Sequence, residues 1–234
     1  MSTARCICPR SGLPTSAASR SQDAIWGLFN GADTTYCSFE ADRPVYQVGV
    51  QFTPGGAYPF FAPPGGELQN AHVALDALWG VQARELWERL LEPQSVVARF
   101  QVLEQALLAH AIRPLERRPA VAFALRAFRR APRLRSIARV AAEVDLSHVR
   151  FIAVFRDEVG LTPMQYCRVR RFVHVLQRTY KEERVDWAKL ALECGYYDQA
   201  HLTHDFHHFA GVSPGVFARD RNPRFPGYVT LPNG

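Results

Sequence analysis

The sequence predicts a mainly α-helical protein. Two helix-turn-helix units occupy its C-terminal half, and a small α+β region of a few strands and a helical pair precedes them. One short pattern occurs twice: Phe151, Phe155, Gly160-Leu161-Thr162-Pro163 and Tyr166 recur as Leu202, Phe206, Gly211-Val212-Ser213-Pro214 and Phe217. Every matched pair lies 51 residues apart, with no insertion between copies. Charge separates the two halves as well. Residues 113–234 hold 19 Arg and 2 Lys against 12 acids, net +9, whereas residues 1–112 hold 7 Arg against 10 acids, net −3.

Residues 1–40 read as an irregular segment. Residues 41–112 read as a small α+β region with few strands. Within it, Val45 to Phe61 alternate weakly as one or two strands bounded by Pro54-Gly55-Gly56 and Pro63-Pro64-Gly65-Gly66. Helices are expected over about Val81 to Leu91 and Ser95 to Ala111. In the second of these, Val96, Phe100, Leu103 and Leu107 recur at helical spacing, and Pro93 separates the pair. The aromatics Phe52, Tyr58, Phe60 and Phe61 read as core rather than as a ligand pocket.

Residues 113–222 form the basic unit, which opens with a charged linker and a helix from about Pro119 to Arg129. Ser136 is placed to cap Ile137 to Val144. The chain then breaks at Asp145-Leu146, and Ser147 caps the helix from His148. In the second copy Asp186 caps Trp187 to Cys194, Gly195 ends that helix, and Asp198 caps the next from Gln199. In each copy two apolar residues four apart share one helix face, and a glycine able to take positive φ ends the helix. Thr162-Pro163 or Ser213-Pro214 then starts the following one. Two helices joined by a three- or four-residue turn make a helix-turn-helix. Residues 223–234 are left as a C-terminal tail.

The run Ala191 to Leu202, continuing through Phe206 to Gly211-Val212-Ser213-Pro214, resembles the C-terminal DNA-binding domain of AraC/XylS-type transcriptional regulators; Phe151 to Pro163 is its first-motif counterpart. The resemblance covers about Pro119 to Arg221. It implies a bacterial regulator with a seven-helix domain whose two recognition helices enter successive major-groove segments of double-stranded DNA. Activation is the commoner mode among such relatives, with RNA polymerase as a further partner. Phe52 to Ala57 and Leu75 to Gly80 look like the sensor region of one subgroup, which implies a small-molecule effector of unknown identity. The helical pair is an alternative site for homodimerisation.

The resemblance also places base contacts at Val149, Ile152 and Ala153, where relatives often carry Arg at the position of Ala153. Val, Ile and Ala make no bidentate hydrogen bonds to bases, although they can touch thymine methyl groups. The first motif is therefore expected to specify sequence weakly and to position the protein on phosphates through Ser147, Arg150 and Arg156. The second recognition helix is chemically richer. With Leu202, Phe206 and Phe209 inward, Gln199, Ala200, Thr203 and His204 face outward as base readers, and His207 joins the phosphate contacts. A His-rich DNA-facing helix is expected to bind more tightly as pH falls and its imidazoles charge.

Several function classes are disfavoured. His204 and His208 sit at i and i+4, but zinc would need further ligands that no nearby Cys pair or His-Glu-x-x-His pattern supplies, so neither metal nor cofactor is assigned. Cys6, Cys8, Cys37, Cys167 and Cys194 form neither a disulfide framework nor a zinc pattern, and Cys167 and Cys194 read as buried thiols. No Ser/His/Asp set, phosphate loop or paired carboxylates argues for an enzyme. There is no run of eighteen apolar residues and no secretory signal, so a cytoplasmic protein without a membrane segment is expected. A sequence-specific DNA-binding regulator leads. The alternatives are a non-specific architectural DNA-binding protein and a DNA-repair enzyme carrying a similar domain.

Overall fold

The computed structural model describes residues 3–6, 27–40, 48–92, 95–130, 137–182, 184–220 and 228–231. Its architecture is mainly helical. The N-terminal part holds β1 (Thr3–Cys6), β2 (Leu28–Asn30), β3 (Cys37–Glu40), a 3₁₀ turn at Tyr58–Phe60, β4 (His72–Ala74), α1 (Leu75–Trp79), α2 (Val81–Leu91) and α3 (Val96–Ala109). Seven helices follow: α4 (Pro119–Arg130), α5 (Ile137–Ala142), α6 (His148–Val159), α7 (Pro163–Thr179), α8 (Trp187–Cys194), α9 (Gln199–Ala210) and α10 (Pro214–Asp220), with β5 at Tyr228–Leu231.

The N-terminal strands depart from the sequence reading. Three strands lie inside the stretch expected to be irregular. β2 pairs antiparallel with β4, Leu28 opposite Ala74, and β1 lies between β3 and β5 in a second antiparallel sheet. Their partners are distant in sequence and each strand has only three or four residues, too few for a period-2 signal to stand out. β5 also lies in the stretch read as a tail. Conversely, no strand forms in the described part of 45–61. Gly55 takes φ +78°, the Gly56 amide donates to the Thr53 carbonyl at 2.7 Å, and the chain turns into the Tyr58–Phe60 helix. Residues 45–47 and the Ser136 cap lie outside the described residues.

The apolar residues of that segment enter a small core instead. Phe61 packs against Phe29 and Trp79 at ring-centroid distances of 4.2 and 5.6 Å, and the Trp79 indole donates to the Phe60 carbonyl at 3.0 Å. In this cluster Phe60, Phe61, Leu68, Trp79 and Leu86 are all buried. α3 begins as expected, its first turn capped where the Ala98 amide donates to Ser95 Oγ at 3.1 Å.

The seven C-terminal helices share one continuous core that includes Phe128, Phe151, Phe155, Phe172, Phe206 and Phe217. The repeat seen in sequence is a repeat in space. α6 and α9 each have 12 residues, are capped by Ser147 and Asp198, and end on Gly160 (φ +87°) and Gly211 (φ +66°). The buried positions Phe151, Phe155, Glu158 and Val159 of α6 correspond under the 51-residue offset to Leu202, Phe206, Phe209 and Ala210 of α9. The break between α5 and α6 is carried by Asp145 in the left-handed region, φ +54°. Joining the motifs is α7, 17 residues and so about 25 Å long, opened by a reciprocal capping box between Thr162 and Gln165.

Candidate nucleic-acid interface

The positions expected to read DNA lie on the first two turns of α6 and α9. On α6, Val149 is 78% exposed, Arg150 and Ala153 are exposed, and Ile152 is half-buried. Ser147 is exposed but committed as the cap, accepting from the Arg150 amide at 3.3 Å. On α9, Gln199, Ala200 and His207 are exposed, the His204 side chain is 78% exposed, and Thr203 is half-buried. The first turn of α9 is held where the His201 amide donates to Asp198 Oδ1 at 2.7 Å. Val149 and Ala200 occupy equivalent places under the repeat, as do Ile152 with Thr203 and Ala153 with His204. One copy therefore offers methyl groups where the other offers a hydroxyl and an imidazole.

Arg156 lies further along α6. Its side chain is exposed and donates to the Gly66 carbonyl of the N-terminal part at 3.2 Å. A role on phosphate therefore competes with this contact.

Sequence reasoning missed the polar group that seats α9 on α7. Asp205 is buried, 1% exposed, yet the equivalent position on α6 is the apolar Val154. Arg168 of α7 donates from Nε to Asp205 Oδ1 at 2.8 Å, and Arg171 reaches Oδ2 at 3.5 Å. Both guanidiniums lie over aromatic rings, Arg168 over Phe209 at 5.0 Å and Arg171 over Tyr196 at 4.4 Å. Burial, with the nearby Asp205 charge, pushes the Tyr196 hydroxyl well above the usual tyrosine range. The available signal was an acid in a helix position whose repeat partner is Val. Tyr197 was missed too: it stands 87% exposed immediately before the α9 cap.

A second polar group lies at the C-terminal end of α6. Asp157 and Glu158 occupy the end of the helix where the dipole is negative and carboxylates are unfavourable. Cations offset this. Arg118 pairs with Asp157 at 2.8 Å, Tyr58 donates to the same carboxylate at 3.1 Å, and the Arg118 amide donates to Glu158 Oε2 at 3.3 Å. Glu158 is 4% exposed, and its Oε1 is buried without a hydrogen-bond partner. Burial holds the Glu158 carboxyl above the usual glutamate range, against the lowering effects of Arg118 and Arg117 and with a smaller raising effect from Asp157. The folded state thus keeps this proton to higher pH than the unfolded chain, so Glu158 costs stability as pH rises from the unfolded glutamate value through the folded one. In Glu158→Gln this contribution disappears. Thermal unfolding of the variant is expected to show a midpoint that falls less than the parent's between about pH 4.5 and 7; an unchanged slope would refute the assignment.

The cysteines with described side chains are structural in setting. Cys194 is buried, and burial pushes the Cys167 thiol up to about 11, so it stays protonated near neutrality. Among the described residues no helix is long and apolar enough to cross a membrane.

A family described as "Helix-turn-helix domain" matches residues 140–220, a span that runs from within α5 to the end of α10 and contains both recognition helices. Over residues 140–220 the chain is thus similar to a helix-turn-helix domain. The helix-turn-helix domain is also similar in sequence to a "Probable transcriptional regulator LumQ" from Photobacterium leiognathi, 27% identical over 79 residues. That similarity covers 34% of this chain and 32% of the relative, so the chain spans about a third of the length of the relative it matches. No solved structure matches the chain.

Proposed function

We propose that this protein is a sequence-specific transcriptional regulator of the bacterial cytoplasm, an activator that binds DNA and works with RNA polymerase rather than as an enzyme. The observation that carries the reading is the matched pair of recognition helices. α6 and α9 have equal length, equivalent caps and equivalent exposed first turns, in a half of the chain that carries net +9. The basic surface supplies attraction to phosphate, and the exposed first turns supply side chains to base edges. The similarity to a probable transcriptional regulator supports the same reading. Unequal work is expected from the two helices. Val149, Ile152 and Ala153 touch thymine methyl groups at most, while Gln199, Ala200, Thr203 and His204 carry most base discrimination, and Ser147, Arg150, Arg156 and His207 hold phosphates.

Selection of bound duplexes from random DNA at about 150 mM salt tests this. The expected product is an asymmetric site with two boxes about one helical turn, 10–10.5 bp, apart, the stronger one lost when α9 is altered. Salt-sensitive binding with no enriched sequence would favour a non-specific architectural protein instead. A reporter carrying the selected site upstream of a weak promoter tests activation: expression should rise with the protein present, and a fall would make it a repressor.

A further inference from the structure

The N-terminal part does not hang beside the helix-turn-helix domain; it grips it at two equivalent points. The segment 31–36 crosses from one motif to the other. Ala32 packs on the shared helical core next to Gly160, the cap of α6, and a Cβ placed on Gly160 would lie 3.3 Å from the Ala32 methyl. Four residues later the Tyr36 ring lies against Gly211, the cap of α9, so closely that a Cβ on Gly211 would meet it at 2.6 Å. Between them the Thr34 backbone lies near the His208 ring of α9.

This segment is held in shape. The Gly31 amide donates to the Ala71 carbonyl at 2.9 Å, and Asn70, in the left-handed region at φ +56°, accepts from the Thr34 amide at 2.7 Å. Gly31 also admits no side chain, because a Cβ there would collide with the Leu68 carbonyl. A second grip lies on α6 alone. The Gly65 amide donates to the Asp157 carbonyl at 2.7 Å, and Arg156 donates to Gly66. This grip satisfies a carbonyl of the last turn of α6 that the helix itself leaves open.

We infer that the N-terminal part is a clamp that fixes the spacing and relative orientation of the two recognition helices by gripping the C-terminal cap of each. Without it the motifs are joined through α7. The clamp adds a second connection at the ends of α6 and α9 remote from Val149 and Gln199, so it constrains the readers without covering them. Its consequence for DNA rests on the regulator reading. One base pair added between boxes rotates the second by about 35° around the duplex axis, so a protein with a fixed interval between readers discriminates against altered spacing.

The test uses the full chain with spin labels, introduced as unnatural amino acids, at the equivalent positions 149 and 200. The unaltered protein is expected to give one narrow distance distribution. Gly65→Val forces a side chain against the Gly160 amide and the Asp157 carbonyl, where a Cβ alone would already sit at 2.9 and 3.0 Å. It is expected to broaden the distribution about twofold with helical content retained. Tyr36→Ala, a milder change on the surface, should broaden it in the same direction and guards against a folding failure in the first variant. Equal widths in the parent and in Tyr36→Ala would overturn the clamp. In unlabelled protein, both variants should keep their affinity for a single box and lose discrimination among two-box sites of different spacing. If the parent shows no sequence preference the regulator reading fails, while the distance widths still decide the clamp.

Discussion

Asp205→Ala is expected to destabilise the helix-turn-helix domain by about 3 kcal/mol, the lower end of the range for breaking a buried ion pair. Asp205 is 1% exposed and faces two arginines of α7. Removing the carboxylate leaves both guanidiniums beside the rings of Phe209 and Tyr196 without their counter-charge. The lower end applies because Arg168 and Arg171 keep side-chain exposures of 35% and 24%, so water relieves part of the cost. For a domain of this size, 3 kcal/mol corresponds to a drop of roughly 12–24 °C in melting midpoint. Asp205→Asn keeps the shape and separates charge from packing: a loss close to that of alanine would assign the effect to charge. A shift of less than about 3 °C in both variants would mean that the pair merely occupies space, as Val154 does in the first motif.

Combined replacement of Gln199 and His204 with alanine is expected to cut the preference for the α9 box over a scrambled box at least about thirtyfold. Each lost contact to a base edge removes about 1–3 kcal/mol of discrimination. Both side chains are exposed on the outer face of α9, away from the buried Leu202, Phe206 and Phe209, so the fold should tolerate the change. The matching change in the first motif, Val149→Ala, should alter box preference little, because a methyl contact is all it can lose. Competition binding with duplexes altered one box at a time reads both. An unchanged preference in the double variant would remove Gln199 and His204 from the readers, and a large effect of Val149→Ala would move specificity to α6.

The helical half was legible because its signals are local. A cap residue, an apolar pair four apart and a glycine at the end specify a helix within a dozen residues, and finding them twice at one offset located both motifs. Ser147, Thr162, Asp186 and Asp198 cap where the sequence places them. The N-terminal half was not legible in the same way. Its strands are three or four residues long, and they pair with partners far along the chain. In the described part of the segment Val45 to Phe61, expected to alternate as strands, aromatic rings are buried from a turn instead of from a ladder.

The candidate site divides along the same line. The outward positions of α9 follow from helical periodicity once Leu202 and Phe206 are taken as inward, and the structure leaves Gln199, Ala200, His204 and His207 exposed. Asp205 shares that helix but turns inward, because two arginines from α7 stabilise a carboxylate that periodicity alone would treat as an anomaly. Arg156 is a phosphate anchor by sequence, and the fold brings it to the Gly66 carbonyl.

By itself, then, the sequence determined the helices, their caps, the duplication and the basic charge of the C-terminal half, since each depends on neighbours within a few residues or on composition. Only the tertiary structure decided that Asp205 pairs across helices, that Glu158 is buried at the end of α6, and that residues 31–36 bridge Gly160 and Gly211. These contacts join residues from 34 to 175 positions apart. Their energies depend on burial and on the meeting of distant surfaces, which no local pattern encodes.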